Sequence, residues 1–303
     1  MIPIALVTGF LGSGKTTFLK HVVACHRDRR LVYLVNEFSA VDIDGQTLEL
    51  PPNQLVAIPG GSIFCKCLVT EFIGRLRAIA ESADAMVDGV VIEASGVADP
   101  KVVRKMLVET RLDQRFRLAT IVTIIDPDTF GDLLETLPNV RAQVEAADVA
   151  IINKIDRHNE PTLQMTERAV REINPATRIE RATYCEVDVH LFDAAAPREL
   201  TGEYALCADP NYGRMTVTPA DGLDLQRLAT TLEPLKDSAY RMKGFVRCDG
   251  HVHHLDVSRS GVVLRRAARR DAPIGLVCIY PPEAMEPIRM ILRQIESGAL
   301  SGA

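Results

Sequence analysis

The residues best suited to chemistry lie near the N-terminus, in a glycine-rich segment that reads Gly9-Phe10-Leu11-Gly12-Ser13-Gly14-Lys15-Thr16. The segment fits the phosphate-binding pattern G-x-x-x-x-G-K-[ST], in which glycines let backbone N–H groups turn toward phosphate oxygens without Cβ clashes. A helix that starts at about Lys15 would add its positive N-terminal end. Lys15 is expected to reach the β- and γ-phosphates, and the Thr16 hydroxyl is expected to bind Mg²⁺. The predicted nucleotide contacts in this segment are Gly9, Gly12, Ser13, Gly14, Lys15, Thr16 and Thr17.

A second motif, Asn153-Lys154-Ile155-Asp156, follows a predicted strand at residues 149–152. The Asp156 carboxylate can accept hydrogen bonds from the N1–H and the exocyclic amine of guanine together. Adenine offers no such pair of donors, so it would leave this buried charge unpaired. Asn153 and Lys154 would brace the base and the phosphate loop. The motif therefore favours GTP over ATP.

A third candidate is Glu93, which ends a predicted strand at residues 89–92 and is followed three residues later by Gly96. An acidic group at this point can organise Mg²⁺ or its water, and the Gly96 N–H can sense the γ-phosphate. The predicted catalytic residues are thus Lys15, Thr16 and Glu93, with an ordinary strand-end carboxylate as the alternative for Glu93. No Gln or Arg stands out as a water-positioning group, which predicts slow intrinsic hydrolysis. Asp126, after another apolar run, is explained by solubility alone.

These motifs require a scaffold that brings strand ends together. Apolar runs rich in Val, Ile and Leu alternate with helical patterns, as in a parallel sheet covered by helices. The predicted strands are residues 4–8, 31–35, 89–92, 119–125 and 149–152, and the predicted helices are 16–25, 69–82, 100–109 and 161–173. A small hairpin, 47–50 with 54–58, is expected to interrupt this order. The sequence predicts an α/β, doubly wound, mostly parallel P-loop GTPase domain over residues 1–190.

The residue pattern of the chain changes beyond this domain. Residues 191–213 carry Pro and Gly with little periodicity and are predicted to form a linker. Residues 214–303 are predicted to form a smaller α+β domain with strands at 215–218, 240–248, 252–257, 262–266 and 275–279 and helices at 223–235 and 284–295. The turns Asp249-Gly250 and Ser260-Gly261 are typical of hairpins.

Composition excludes several classes of function. The 303 residues include 35 Lys plus Arg against 40 Asp plus Glu, a net charge of -5, which disfavours a broad nucleic-acid surface. There is no Trp, and aromatic residues make up 5%, which disfavours a base-stacking platform. The seven cysteines have no dense disulfide spacing, and no basic leader or long apolar run occurs. We therefore expect a cytoplasmic protein with reduced thiols and no nucleic-acid or membrane partner.

Taken as a set, the motifs resemble the CobW family of P-loop GTPases, which is related to the nickel-insertion GTPases of urease and hydrogenase maturation. The resemblance is carried by GFLGSGKTT at 9–17, VNEF at 35–38, EASGVADP at 93–100, QVEAADVAIINKID at 143–156 and RMKGF at 241–245. It covers nearly the whole chain. It implies a GTPase that uses GTP and Mg²⁺ and hands a transition metal, often zinc or cobalt, to a client.

The chain departs from the family at its metal site. The family usually carries Gly-Cys-x-Cys-Cys, whereas this chain reads Gly61-Ser62-Ile63-Phe64-Cys65-Lys66-Cys67. Ser62 and Phe64 replace two cysteines, Cys65 keeps the third place, and Cys67 is new. Two thiolates need further ligands to close a tetrahedral shell, and a mixed set of sulfur and oxygen ligands holds zinc less tightly than three sulfurs. The predicted metal ligands are Thr16 for Mg²⁺, and Glu37, Asp42, Cys65 and Cys67 for the transition metal.

Motifs and resemblance together predict a switch. GTP and Mg²⁺ would order residues 37–45 and 93–99, and hydrolysis would release them. The predicted function is delivery of a zinc- or cobalt-class metal to a client metalloprotein or cofactor pathway. The alternative is a GTP-dependent activator of a metal- or corrinoid-dependent enzyme that carries no metal itself. A P-loop phosphotransferase is disfavoured by residues 153–156, and homodimer formation is left open.

Overall fold

The computed structural model describes residues 1–37, 54–59, 62–65, 68–82, 87–193, 200–205, 210–267 and 272–300, and the chain divides into two units. The first unit is Met1–Cys207 and the second is Ala208–Ala303. Leu191 and Phe192, which begin the predicted linker, are buried in the core of the first unit. None of the helices in the described ranges is long and apolar enough to cross a lipid bilayer.

A parallel sheet organises the first unit. Its seven strands in the described ranges are ordered β3-β2-β4-β1-β5-β6-β7. The strands are β1 (Ile2–Thr8), β2 (Leu31–Glu37), β3 (Leu55–Pro59), β4 (Gly89–Glu93), β5 (Phe116–Ile125), β6 (Val149–Ile152) and β7 (Arg178–Arg181). All the strand pairs are parallel. The carboxyl ends of the strands therefore share one edge, where the predicted motifs lie.

Helices cover both faces of this sheet, as the doubly wound prediction requires. They are α1 (Lys15–Cys25), α2 (Val69–Ser82), α3 (Val102–Glu109), α4 (Pro127–Thr136), α5 (Pro138–Ala146) and α6 (Glu160–Ile173). Side chains alternate between faces along a strand, so Ile4 and Leu6 of β1 enter one apolar core with α2 and α3. Ala5 and Val7 enter the opposite core with α1. Both faces of the central strands are thus buried.

The structure places the second strand of the predicted hairpin (47–50 with 54–58) in the main sheet as β3, and the hairpin itself stays a prediction. β3 pairs in parallel with β2, with Val35 opposite Ala57 and Asn36 opposite Ile58. β3 extends the main sheet beyond β2, a pairing that the sequence patterns did not predict. The predicted partner strand, 47–50, lies outside the described residues.

Helices α4 and α5 and strand β7 were not predicted. Both helices begin at a proline, Pro127 and Pro138, which is a favoured first helical residue because its missing N–H would be unbonded there. Asp126 caps α4 by accepting a hydrogen bond from the Asp128 N–H. β7 is a polar edge strand, so it carries little of the apolar signal that identified the buried strands.

The second unit contains a sheet of five antiparallel-paired strands in its described residues, ordered β11-β10-β9-β12-β8. These are β8 (Gly213–Val217), β9 (Arg241–Cys248), β10 (His251–Ser258), β11 (Gly261–Arg266) and β12 (Gly275–Tyr280), with helices α7 (Leu225–Leu232), α8 (Leu235–Ser238) and α9 (Met285–Glu296). The predicted hairpin turns connect β9 to β10 and β10 to β11. The predicted helix at 223–235 is divided, because Pro234 lies between α7 and α8. This unit confirms the α+β prediction.

Gly244, within the RMKGF segment, lies opposite Leu276 where β9 pairs with β12. Its φ is 155°, and a Cβ atom built there would lie 2.0 Å from the Gly275 carbonyl oxygen. The obstacle is backbone of a neighbouring strand, which cannot rotate away. The glycine is therefore required by the close approach of two central strands.

We expect Gly244→Ala to destabilise the second unit by about 3 kcal/mol, because overpacking and backbone strain act together. Gly250→Ala is the matched control in the same sheet. Its φ is 72° with open space around it, so only the left-handed cost of about 1 kcal/mol applies. Hydrogen exchange of peptides from β9 and β12, in the full chain, measures the destabilisation caused by each of the two variants. Equal protection in the two variants would contradict the steric argument.

Candidate nucleotide site

The phosphate loop lies between β1 and α1 at the carboxyl edge of the sheet. Gly9 and Gly14 have φ values of 133° and 121°, which side chains rarely adopt. A Cβ at Gly9 would lie 2.3 Å from the Ile124 carbonyl oxygen, and one at Gly14 would lie 2.4 Å from Asn153 Nδ2. The loop therefore has no room for side chains at these positions, as its glycine pattern predicted.

The donors expected at a phosphate site are present in this loop. No side chain caps the N-terminus of α1, whose first internal hydrogen bond runs from Phe18 N to Gly14 O. Lys15 folds over the loop and donates from Nζ to Gly9 O at 2.9 Å and to Phe10 O at 3.2 Å. Ser13 Oγ is buried and has no hydrogen-bond partner in the described residues. Backbone N–H groups, an ammonium and a hydroxyl thus fit a polyphosphate.

Asn153 joins the base-recognition motif to the phosphate loop. Its side chain is buried, its Nδ2 donates to Ser13 O at 2.8 Å, and its Oδ1 accepts from Cys185 N at 2.9 Å. The amide is therefore fully oriented by two backbone groups from distant parts of the chain. This contact brings residues 140 positions apart into one site and gives Asn153 a direct hydrogen bond to the phosphate loop.

The turn after β7 also contacts the phosphate loop, through a residue that the sequence reasoning missed. Cys185 has a φ of 56°, and its Sγ donates to Gly14 O at 3.5 Å. Burial raises the pKa of the Cys185 thiol to about 12, so the sulfur remains protonated and acts as a weak donor. In the sequence, Cys185 could have been linked to the phosphate loop only through its position after β7, and that strand was not predicted.

Lys154 and Asp156 extend the site beyond Asn153. The Lys154 ammonium forms an ion pair with the carboxylate of Asp126. Asp156 is exposed in the short turn Ile155–Arg157, so its carboxylate is open to a base. The interpretation of Asp126 as a residue kept for solubility is wrong, because it both caps α4 and positions Lys154.

Glu93 lies at the end of β4, buried beside the phosphate loop. It is opposite Val7 of β1 and Val35 of β2 in the parallel register. Three residues later, a Cβ at Gly96 would lie 2.6 Å from Leu11 N, so the segment after Glu93 packs against the loop itself. Gln143 holds this segment by donating from Nε2 to Gly96 O and Ala98 O.

Asn36 links this segment to the predicted metal region. Its Oδ1 accepts hydrogen bonds from Ile63 N at 3.0 Å and from Ser95 N at 3.2 Å, and its Nδ2 donates to Ile58 O at 3.3 Å. The side chain is buried at the end of β2. One amide therefore joins β3, the turn before Cys65 and the segment that follows Glu93.

The cysteine turn is partly a core element. Phe64 is fully buried and meets the Phe72 ring edge-on, with 5.8 Å between the centroids. Cys65 is a buried free thiol, and its carbonyl accepts from Leu68 N and Val69 N, which starts α2. The residue that replaces a family cysteine at 64 is thus used for packing.

The other predicted metal ligands are less fully described. Asp42 and Cys67 lie outside the described residues, and Glu37 is described only by its place at the end of β2. Burial raises the pKa of Cys248 to about 11 and that of Cys278 to about 12. These two thiols remain protonated in the core of the second unit and are poor metal ligands.

Comparison with known families gives a match to the nucleotide-binding domain described as CobW/HypB/UreG, over residues 3–181. Similar curated proteins include the zinc chaperone YeiR of Escherichia coli (strain K12), 32% identical over 191 residues, which are 62% of this chain and 57% of YeiR. The zinc chaperone YjiA of the same strain is 28% identical over 194 residues, 63% of this chain and 60% of YjiA. The chain thus spans less than two thirds of the length of these relatives.

Solved structures with a similar fold include Zn(II)-bound YjiA GTPase from E. coli, with a TM-score of 0.48, 19% identity and coverage of 97% of this chain and 98% of that chain. HypB from Helicobacter pylori in complex with nickel has a TM-score of 0.42 and 17% identity, and covers 60% and 79%. The family match extends over more than half of the 303 residues and includes the phosphate loop, Glu93 and the base motif. The chain therefore belongs to the CobW/HypB/UreG family through its nucleotide-binding domain.

Proposed function

We propose that this chain is a GTP-hydrolysing metallochaperone that delivers a transition metal of the zinc or cobalt class to a client protein or cofactor pathway. The observation that carries the nucleotide half is the hydrogen bond from Asn153 Nδ2 to Ser13 O, which joins the proposed guanine motif to the phosphate loop. Curated relatives that are named zinc chaperones support the metal half.

In this function Lys15 and the N–H groups at the start of α1 hold the phosphates, and Asp156 selects guanine. Thr16 and Glu93 are the residues that would hold Mg²⁺ directly or through water. When bound, this ion neutralises charge on the phosphate oxygens. Glu93 suits that role because it is buried at the strand end beside the loop. The Gly96 N–H is proposed to sense the γ-phosphate.

The metal is the cargo, and we propose that Cys65 and Cys67 bind it with Glu37 and Asp42. Zinc and cobalt accept mixed sulfur and oxygen ligation, but oxygen ligands hold them less tightly than thiolates do. A site with two thiolates therefore favours release to a client over permanent storage.

Asn36 provides the proposed coupling between nucleotide and metal. Its Oδ1 bonds Ser95 N on the nucleotide side and Ile63 N on the cysteine side, and Glu37 follows it directly in β2. Movement of the segment after Glu93 on loss of the γ-phosphate would therefore be transmitted to the cysteine turn. We propose that the GTP state assembles the metal ligands and the GDP state separates them.

The second candidate is an activator that moves a client by GTP hydrolysis without carrying metal. Phe64 favours it, because a fully buried aromatic ring occupies a position where the family usually has a cysteine. The two functions predict different client activation by the variant Cys65→Ser with Cys67→Ser. The metallochaperone loses client activation in this variant, whereas the activator keeps it.

Asp156→Asn tests guanine recognition. The asparagine amide loses the charged acceptor for guanine N1–H and amine, so GTP affinity should fall at least ~100-fold, since two hydrogen bonds to a charged group are lost. Xanthosine triphosphate, which has a carbonyl in place of the amine, should bind the variant more tightly than it binds wild type. Competition binding measures both. Asp132→Asn, on α4, is the control, and unchanged GTP affinity in Asp156→Asn would refute guanine selection by this residue.

Asn153→Ala tests the bridge to the phosphate loop. The Ser13 carbonyl and the Cys185 N–H would lose their buried partner, at about 1–3 kcal/mol each. We expect lower thermal stability together with at least a ~10-fold weaker GDP affinity by calorimetry. Asn159→Ala removes a cap of α6, where Oδ1 accepts from Thr162 N, and should cost stability alone. Loss of stability without loss of GDP affinity in Asn153→Ala would contradict the bridge.

Metal titration of the reduced protein tests the coupling. We expect Zn²⁺ to bind at least ~5-fold more tightly with a non-hydrolysable GTP analogue than with GDP, because ordering by the γ-phosphate assembles the ligand set. Cys65→Ser with Cys67→Ser should remove this nucleotide-dependent binding.

Asn36→Ala separates coupling from ligation. It should retain both GTP and Zn²⁺ binding and lose the difference between nucleotide states. Asn139→Ala is its control, since Asn139 donates to Val97 O away from the cysteine turn. Equal zinc affinity in both nucleotide states of the wild type would eliminate the coupling altogether.

A further inference from the structure

Three side chains of types that can ligate metal meet at the carboxyl edge of the sheet, after β5 and β6. Asp126 follows β5, Asp128 lies in the first turn of α4, and His158 follows the turn Ile155–Arg157 after β6. One ligand atom from each lies within 4.8 Å of the other two. They converge because β5 and β6 are neighbouring parallel strands whose carboxyl ends share an edge.

The His158 imidazole is the group that points to a ligand. Its side chain is only 7% exposed, and its Nε2 is buried with no hydrogen-bond partner in the described part of the chain. Asp128 Oδ1 lies 3.7 Å from this nitrogen, which exceeds hydrogen-bond distance. A buried nitrogen without a hydrogen-bond partner lowers the free energy of unfolding. A metal ion is one of the few ligands that an imidazole nitrogen and a carboxylate can both bind.

The distance between the His158 and Asp128 ligand atoms suits an ion bound by both. Two ligand atoms about 2.1 Å from a tetrahedral zinc ion lie roughly 3.4 Å apart, close to the 3.7 Å between His158 Nε2 and Asp128 Oδ1. Lys154 pairs with Oδ2 of Asp126, and Asp128 N donates to Oδ1, whose second lone pair can accept a cation. With a neutral imidazole, two carboxylates and one ammonium leave a net charge of about -1. The site therefore still attracts a cation.

We propose that Asp126, Asp128 and His158 bind a divalent transition-metal ion of the zinc or cobalt class, through one imidazole nitrogen and two carboxylate oxygens. The imidazole favours these metals over Mg²⁺ and Ca²⁺, which prefer oxygen ligands alone. This site carries no sulfur and uses none of the residues proposed to hold the cargo at Cys65. It lies beside Lys154, next to the residue proposed to select guanine.

Co²⁺ titration of the full chain tests this site, since Co²⁺ reports its ligands by visible absorption. The parent protein for the test carries Cys25→Ser, Cys65→Ser and Cys67→Ser. Cys25 is included because it is exposed and its Sγ lies 3.6 Å from His21 Nε2. In this thiol-depleted parent and without nucleotide, we expect one Co²⁺ per chain with nitrogen and oxygen ligation, displaced by Zn²⁺.

Asp128→Asn and His158→Gln should each weaken this Co²⁺ binding at least ~10-fold, since even residues that only support a ligand cost that much. The controls are Asp132→Asn on the same helix and His190→Gln at an exposed position. Asp128 is 42% exposed, so its variant should fold even where replacement of buried His158 disturbs packing. Parental affinity in Asp128→Asn, or paramagnetic broadening of amides away from Asp126, Asp128 and His158, overturns the proposal.

A second measurement tests the link to nucleotide, and this part rests on the proposed function. Asp126 is shared between the ion and Lys154, so Co²⁺ should weaken GDP binding at least ~5-fold, and GDP should weaken Co²⁺ binding by the same factor. Asp128→Asn should remove both effects. Equal GDP affinity with and without Co²⁺ would overturn the link through Asp126. The proposed cargo site needs the thiols of Cys65 and Cys67, whereas this site needs none. The experiments can therefore refute either metal site without refuting the other.

Discussion

The parallel register of β1, β4 and β2 is the constraint on which the site depends. It sets Val7, Glu93 and Val35 side by side across three strands. The phosphate loop follows the first strand, the Glu93 segment follows the second, and Asn36 follows Val35 in the third. A shift of one residue would exchange the two faces of a strand and expose side chains from both apolar cores. Burial of both faces therefore fixes the positions of the polar groups at the edge.

Two buried amides turn this alignment into connections between loops. Asn153 satisfies a carbonyl of the phosphate loop and an N–H of the turn after β7. Asn36 satisfies N–H groups at Ile63 and Ser95. Asparagine suits such positions because its amide donates and accepts at once, and each lost bond would leave a buried backbone group unsatisfied. Each loop is therefore held by a side chain from another part of the sheet edge, which is the physical basis of the coupling proposed above.

Sequence patterns predicted those parts of the fold and site that local chemistry dictates. The glycines at 9 and 14 are needed by their own φ values, and the buried strands show their Val, Ile and Leu content directly. The Asp126–Lys154 pair and the Cys185 contact escaped prediction because their partners are 28 and 171 residues away. The parallel direction of β3 escaped as well, since a proline-rich connection does not encode which strand lies beside it.

The replacement of cysteine by Phe64 illustrates how packing and ligation compete at one turn. A thiolate needs a partially polar setting, whereas Phe64 fills the apolar core against Phe72. Losing a sulfur there weakens any metal site built on Cys65, because oxygen ligands must replace it. The cluster of Asp126, Asp128 and His158 lies on the other side of β1 in the strand order, after β5 and β6. Within the described residues, the chain thus places the Cys65 thiol beside an apolar core, and an imidazole and two carboxylates beside Lys154. Both regions lie at the carboxyl edge of one parallel sheet, so a nucleotide held by the proposed phosphate loop and base motif would lie between them.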